Sequence, residues 1–529
     1  MCSNPGQEMI LEDIQKHDLT RVVVASCSPR MHEATFRGAI KRAGLNPYML
    51  EMANIREQCS WIHDDAVAAT EKAKALVHGA IQRVKFNEAL ESRSAPMCAS
   101  TLVIGGGVTG LNAALELAEA GQQVFLVERQ DHLGGNVSRL NLTAPYLDSA
   151  QDILQSWILR VRQHPNIRLF LNSEVTELTG FNGNFKPRVK VEDGEVLDLD
   201  AGSVLVCTGY KEFDAAKVEQ YGYGRLPDVI TSFELESRLQ RGTLQTSLGK
   251  QPRNVAIIHC VGARSEQFHS YCSRVCCTTA LKYAVEIKAA LPEAHVANLY
   301  TDMQAFGKGC EDFYRRCSEA GTTFMMVDKK LLPVIRQATR DDECSMVITL
   351  KEQLSGQEIE LPVDLVVLMV AMEPREDSEK IAHLVNISRD KDGWFIESHP
   401  KLDPVATTTD GVYIAGACQF PKDIPDSVVQ ARAAVARILG KVAQGHITVD
   451  AVYSEVQAKL CAGCGTCLTL CPYGAIKLNQ EKHISEINST VCKACGCCAA
   501  GCPAAAIKVR HFTDEQIYAQ IEGVLSSCV

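Results

Sequence analysis

The 529-residue chain has no apolar run long enough to cross a bilayer. Its longest, Leu365 to Met372, is a fraction of the length needed. It opens without the basic stretch and apolar core of a secretory leader, so a cytoplasmic location is expected. It has no excess of positive charge: 54 Lys and Arg stand against 64 Asp and Glu, a net charge of −10. That balance argues against nucleic acid as a partner. With 46% hydrophobic and 22% charged residues the chain is not a disordered one, and its length calls for several domains rather than one core. What it has in excess is cysteine. There are 23, an odd number, many of them in two short stretches. A disulfide scaffold would be small and secreted, so the remaining reading is thiolates that hold metal.

Ser94-Ala95-Pro96 reads as a linker, and a boundary is expected near residue 97. Before it lie one strand-like run, Arg21–Ala25, and a polar helical stretch, Ala66–Ala89. After it, strand runs recur at Thr101–Ile104, Val124–Val127, Ile167–Leu171, Ser203–Cys207 and Val255–His259. Others follow at Val296–Tyr300, Val363–Met369 and Val412–Ala415. Helical patterns alternate with several of them, which is the signature of α/β architecture with parallel sheets. From about Val452 the chain turns into cysteine-rich turns, and Leu460–Ile476 repeats as Val491–Ile507. The expected domains are 1–96, 97–245, 246–370, 371–450 and 451–529.

In the repeat, Cys461, Cys464, Cys467 and Cys471-Pro472 are matched by Cys492, Cys495, Cys498 and Cys502-Pro503. This is the spacing of bacterial two-cluster ferredoxins, in which the fourth cysteine of each run crosses to the other cluster. One [4Fe-4S] cluster would take Cys461, Cys464, Cys467 and Cys502; the other Cys492, Cys495, Cys498 and Cys471. Structural zinc also uses C-x2-C pairs, but it has no need of a doubled run with fourth cysteines before prolines. Cys497 is expected to be a spare thiol.

The strand Thr101–Ile104 leads into Gly105-x-Gly107-x-x-Gly110, a helix, a second strand and Glu128. A lone glycine fingerprint is weak, but this context makes it a dinucleotide site. The glycines admit a pyrophosphate to the helix N-terminus, and Glu128 would accept from ribose hydroxyls. Arg129, Gly135 and Asn136 are counted with this site. Two later stretches favour flavin. Val204–Gly209 ends a strand in Thr208-Gly209, similar to the second motif of two-dinucleotide flavoproteins, and Thr409-x-Gly411 to Gly416 resembles their C-terminal flavin motif. Ala417-Cys418 stands where that motif usually has an aspartate. Asp426 and Ser427 then open a helix whose N-terminus is expected to face the flavin ring.

Flavoproteins of the thioredoxin-reductase type carry a second dinucleotide domain, and its glycine loop should follow Val255–His259. No such loop is there. Cys260, Cys272, Cys276 and Cys277 crowd the strand-to-helix junction instead, with a helix expected over Thr278–Ala290. A third [4Fe-4S] cluster fits that position; four buried free thiols are the plain alternative. His32, His259 and Cys418 have no independent case as site residues.

Met1-Cys2-Ser-Asn-Pro-Gly-Gln, Cys27-Ser-Pro-Arg-Met-His-Glu and Asn54-Ile-Arg-Glu-Gln-Cys59-Ser-Trp resemble the HdrA iron–sulfur flavoproteins of heterodisulfide reductase. So do Cys260-Val-Gly-Ala-Arg, Tyr271-Cys-Ser-Arg-Val-Cys-Cys and Pro421-Lys-Asp-Ile-Pro-Asp-Ser, and the likeness spans the chain. The resemblance implies a thioredoxin-reductase-like two-dinucleotide flavoprotein core with an N-terminal α/β iron–sulfur segment and a C-terminal two-cluster ferredoxin domain. It implies FAD and several [4Fe-4S] clusters, at least two and as many as four. Cys2, Cys27 and Cys59 match ligands of an N-terminal cluster, although the earlier Cys-x-Cys-Gly stretch of the family is missing. Lys282 matches a lysine beside the flavin. The extra ferredoxin module of some relatives is absent, since Asn172–Leu205 holds no cysteine.

A flavin beside one-electron clusters is a two-to-one-electron converter. The resemblance implies flavin-based electron bifurcation or confurcation within a multi-subunit redox complex, with ferredoxin or a ferredoxin-like protein as one partner and a dimer as an allowed arrangement. Its acceptor would be a heterodisulfide or, in a related assembly, an aromatic acyl-CoA reductase. The alternatives are an NAD(P)H-dependent flavin reductase, which the missing nucleotide loop disfavours, a thiol–disulfide catalyst, disfavoured because C-x-x-C pairs occur only in the ferredoxin repeat, and an inert scaffold.

Overall fold

The computed structural model describes residues 2–328, 330–339 and 344–526. They divide into two compact units, one of Pro96–Ile447 and one of Met1–Ala95 with Thr448–Val529.

The larger unit is framed by two five-stranded parallel sheets that share the order of four strands and differ in the fifth, an edge strand that comes last in the first sheet and first in the second. The first runs Val412–Ile414, Ser203–Val206, Ser100–Ile104, Gln123–Val127, Ile167–Phe170. The second runs Val229–Thr231, Leu365–Val370, Asn254–Val261, His295–Tyr300, Thr323–Met326. Ser100–Ile104 and Leu365–Val370 are buried at every residue, as strands covered on both faces must be. The central strand of each sheet passes through a loop into a helix, Val108–Glu119 in the first and Cys276–Ala290 in the second. Each half also carries a three-stranded antiparallel sheet. In the first half this meander (Glu174–Phe181, Asn184–Lys190, Val196–Asp198) fills the cysteine-free stretch.

Several expected elements differ in detail. The run Val363–Met369 is two strands: Glu358–Val363 belongs to the second antiparallel sheet and Leu365–Val370 to the parallel one. Asp364 separates them, its carboxylate accepting from the Arg253 and Asn254 amides. The helix expected to reach Ala89 stops at Val84, and the Asn87 side chain then donates to the Tyr48 and Leu50 carbonyls. Ser94–Pro96, read as a linker, lies in a short strand, Arg93–Pro96.

In the smaller unit the parallel strands Val22–Ser26 and Leu50–Asn54 pack with the helices Asn4–Lys16, Pro29–Arg42 and Ala66–Val84. Its C-terminal part is a doubled motif. The strands Ser454–Val456 and Ile507–Val509 pair antiparallel, as do Ile476–Asn479 and Ile484–Ile487, with the short helices Thr466–Leu470 and Cys497–Ala500 between. A buried polar hub holds the unit together. Arg83 pairs with Glu51 at 3.0 Å and donates to the His511 carbonyl, while Gln516 donates to Asn87. No helix among the described residues is long and apolar enough to cross a membrane.

Candidate functional site

A cavity of about 960 Å³ opens at the C-terminal ends of the first sheet's strands, where open α/β sheets bind ligands. Gly105, Gly107, Glu128, Arg129, Gly135, Asn136, Thr208 and Gly209 line it. Asp426, Ser427 and Lys282 line it too. The three fingerprint glycines have three distinct reasons. Gly105 has φ +111°, and a Cβ there would sit 2.4 Å from the Cys207 carbonyl oxygen. A Cβ on Gly107 would meet nothing within 4 Å, so it would project into open space. A Cβ on Gly110 would lie 1.9 Å from the Gly105 carbonyl oxygen, where the helix rides against the strand. Gly110 and Gly416 therefore sit behind the wall rather than in it. Gly416, at φ +80°, lies against Thr109, whose Oγ1 would be 2.3 Å from an added Cβ. Glu128 is fixed by two amides, Gly106 N–H to one oxygen at 2.6 Å and Gln130 N–H to the other at 2.9 Å. On another wall, Asp423 caps the helix Ile424–Val442 by accepting from the Asp426 amide at 2.7 Å.

Lys282 is not a solvated helix lysine. It is 2% exposed and ion-paired with the fully buried Glu236. Glu286 stands 3.6 Å away, and the Leu142 carbonyl accepts from the ammonium at 3.1 Å. The Tyr283 hydroxyl and the Asn141 amide also donate to Glu236, each at 2.9 Å. Burial pushes the Glu286 carboxyl above the usual carboxylate range.

The four thiols of the second half come together. Asn254–Val261 breaks register after Ile258, which turns Cys260 into the left-handed region at φ +57°. The following helix begins at Cys276, two residues before the expected Thr278, so Cys276 and Cys277 occupy its first turn. There the unpaired amides and the positive end of the helix dipole would favour negative charge on the sulfurs. Burial and then the Cys260, Cys277 and Cys272 thiols push Cys276 well up. Burial and then Cys277 push Cys260 to about 11. The Arg274 amide donates to Cys272 Sγ at 3.3 Å. Cys276 also lines the large cavity, so this thiol set and the dinucleotide site share a wall.

In the smaller unit the doubled motif is symmetric down to its hydrogen bonds. The Ser485 amide donates to Cys461 Sγ at 3.5 Å and its hydroxyl accepts from Cys467 at 3.2 Å. Ser454 does the same for Cys492 (3.4 Å) and Cys498 (3.6 Å). The Ala475 and Ala506 amides each donate at 3.3 Å to the crossing cysteines, Cys471 and Cys502. Cys471, Cys492, Cys495 and Cys498 line one small cavity, and Cys497 is exposed outside it. Amides aimed at sulfur suit thiolates on an anionic cluster. Among the described residues no three Cys, His, Asp or Glu side chains converge as one metal ion would require. At the N-terminal end, Cys27 follows the first strand and Cys59 lies in the turn Arg56–Ser60 after the second; the Ile55 amide bonds to the Ser26 carbonyl between them. The Arg56 guanidinium beside them is held above its usual range chiefly by its hydrogen bond to Glu57.

Residues 66–225 match the family model described as pyridine nucleotide-disulphide oxidoreductase, and residues 454–503 match the 4Fe-4S dicluster domain. A CoB–CoM heterodisulfide reductase iron-sulfur subunit of the A type from Methanopyrus kandleri is 41% identical, covering 99% of this chain and 92% of the relative. This chain belongs to the HdrA family of heterodisulfide reductase iron–sulfur subunits. The corresponding subunit of the H2:CoB-CoM heterodisulfide,ferredoxin reductase of Methanothermobacter thermautotrophicus is 37% identical over 99% of this chain and 91% of its own. The first alignment runs over 610 positions against 529 residues here, so the relative carries additional residues. A thioredoxin reductase from T. acidophilum superposes on 65% of this chain and 99% of its own, at a TM-score of 0.45 and 16% identity, and nothing rests on that fit. The protein is thus an FAD- and [4Fe-4S]-containing oxidoreductase with a core of the pyridine nucleotide-disulphide oxidoreductase kind and a dicluster domain.

Sequence reasoning missed Glu236, Glu286 and Lys422. Glu236 stands on the helix Ser232–Gln240, far from Lys282 in sequence, with no motif to mark it. Lys422 falls in the stretch Pro421-Lys-Asp, where nothing in the sequence marks its burial.

Proposed function

We propose that this chain is the electron-transfer component of a cytoplasmic multi-subunit redox complex, in which a two-electron input is divided between a higher-potential acceptor and a low-potential one such as ferredoxin. FAD, when bound, exchanges two electrons and can pass them singly to [4Fe-4S] clusters. Gly105, Gly107, Glu128, Arg129, Gly135, Asn136, Thr208 and Gly209 would hold it, with Gly110 and Gly416 letting the surrounding backbone close up. Asp426 and Ser427 would complete the wall. Lys282, held by Glu236, Glu286 and the Leu142 carbonyl, can keep a proton and a positive charge in place within the cavity. Cys260, Cys272, Cys276 and Cys277 would carry a cluster; the two ferredoxin sets and Cys2, Cys27 and Cys59 would provide separate routes in or out.

The observation that carries this reading is Cys276, which belongs to the four-thiol set and also lines the cavity. Metal would then occupy the place from which a nicotinamide would deliver hydride. The test is anaerobic stopped-flow mixing of the protein with NADH or NADPH. No flavin bleaching within the first seconds is expected, and rapid bleaching overturns the reading in favour of a nucleotide-dependent reductase. In the isolated complex, ferredoxin reduction should depend on the simultaneous presence of the higher-potential acceptor. Iron near twelve per flavin would mean three clusters, near sixteen four.

A further inference from the structure

The cations that line the large cavity are nearly all compensated. Arg139, Arg274, Lys282 and Lys380 each have a carboxylate partner, and Arg129 and Arg375 share Asp377. His132 faces Asp131, and Lys308 is exposed at the rim. Lys422 is different. Its ammonium donates to two neutral acceptors, Gln419 Oε1 at 2.9 Å and the Phe420 carbonyl at 3.4 Å. Gln419 is itself held, donating to Glu397 at 2.7 Å and hydrogen-bonded to Gln430, whose carbonyl oxygen accepts from the Gly416 amide at 2.7 Å. Lys422 is therefore aimed by a chain of amides, and it stands beside the N-terminal end of the helix Ile424–Val442, whose dipole has the same sign. Burial pulls its ammonium below the usual lysine range, while Asp426, paired with Arg274, and Glu397, accepting from Gln419, act on it from beyond ion-pair distance in the opposite direction.

We propose that Lys422, which is held in no direct ion pair, rather than Lys282, which is, supplies the positive charge that favours anionic, reduced flavin over oxidised flavin in this cavity. The proposal rests on the reading of the cavity as the FAD site. Lys282, ringed by Glu236 and Glu286, adds little net field. Lys422 acts on the cofactor as a positioned charge, and its removal should disfavour the reduced form selectively.

The test uses the full chain, purified anaerobically with its flavin, as wild type, Lys422→Met and Lys422→Arg. Flavin is titrated potentiometrically and its content measured in each. Lys422→Met should weaken retention of reduced over oxidised flavin about tenfold, a midpoint about 30 mV lower for a two-electron couple. Lys422→Arg, which keeps the charge, should restore the wild-type midpoint. If Lys422→Met holds flavin at an unchanged midpoint, the proposal is wrong. If Lys422→Met loses flavin, equilibrium dialysis of oxidised and of reduced FAD replaces the titration: reduced FAD must suffer about tenfold more, and equal losses overturn the proposal. Absence of flavin from the wild type would instead overturn the reading of the cavity itself.

Discussion

The glycine fingerprint can be taken apart one position at a time, because a side chain at Gly107 and one at Gly110 meet different obstacles. Gly107 has φ −75° and ψ −177°, a conformation open to any residue, and an added Cβ touches no protein atom within 4 Å. Replacing it should leave the fold intact apart from a weaker helix cap, at most ~1 kcal/mol. Valine there would fill the space through which a pyrophosphate reaches the helix amides. Two charge-assisted hydrogen bonds lost at ~1.5–3 kcal/mol each amount to at least ~3 kcal/mol, or more than about a hundredfold in affinity. At Gly110 the added Cβ lies 1.9 Å from a backbone oxygen, so the helix Val108–Glu119 must lift off the strand. Overpacking typically costs ~1–3 kcal/mol, and this contact, with no flexible side chain to yield, belongs at the upper end or beyond. Gly107→Val should therefore purify with a thermal stability close to that of flavin-free wild type, no flavin and full iron in the ferredoxin part. Gly110→Ala should unfold at lower temperature even when flavin is supplied. Wild-type flavin content in Gly107→Val, or a wild-type melting curve in Gly110→Ala, would refute the assignment of these roles.

Cys276→Ala should lower iron by about four per chain while flavin stays; an unchanged iron count contradicts the ligand set. Lys282→Met leaves Glu236 charged and buried, which should cost ~3–5 kcal/mol by denaturant titration. Adding Glu236→Gln should recover most of that, and strictly additive losses would show that the pair is not coupled. His511, 7% exposed, is held at about 4 by burial and then by Arg83 and Arg37. Below its ordinary value near 6.5 the unfolded chain binds the proton that the folded chain refuses, so stability is full above about pH 6.5 and falls towards pH 4, by at most ~3 kcal/mol. His511→Gln should flatten that slope in urea midpoints, and an unchanged slope assigns it to other groups.

Much of this was legible in the residues because the strong signals are local. Gly105–Gly110 followed by Glu128, and the two runs from Cys461 and Cys492, each pack their chemistry into one loop and one strand end. What stayed hidden is what tertiary contact decides. Glu236 meets Lys282 only because the helices Ser232–Gln240 and Cys276–Ala290 cover one face of the second sheet. Asp364 reads as a minor interruption of an apolar run, yet two backbone amides fix it as the break between sheets. Val275 gives no capping signal, so the helix start slipped by two residues. The division into units was likewise beyond reading, since Arg83, Glu51, Asn87 and Gln516 join segments from opposite ends of the chain.

The two sheets explain why metal and dinucleotide can be neighbours. Ser100–Ile104 and Asn254–Val261 hold equivalent central positions, and each leads into a residue of positive φ, Gly105 at +111° and Cys260 at +57°. Each loop delivers the chain to a helix N-terminus, and each N-terminus favours negative charge. In the first half glycines strip the loop bare so that a ligand's phosphates can reach the amides. In the second half the same geometry is filled from within, by Cys276 and Cys277 in the first turn, so on the proposed reading the anion would be a cluster held covalently by their thiolates. A phosphate would have to compete with those sulfurs for the same amides. A cluster on the second loop and hydride entry at the second loop are therefore mutually exclusive, and restoring the second requires removing the first. Glycines in place of Cys276 and Cys277 alone would not suffice, because Cys260 and Cys272 would still crowd the junction.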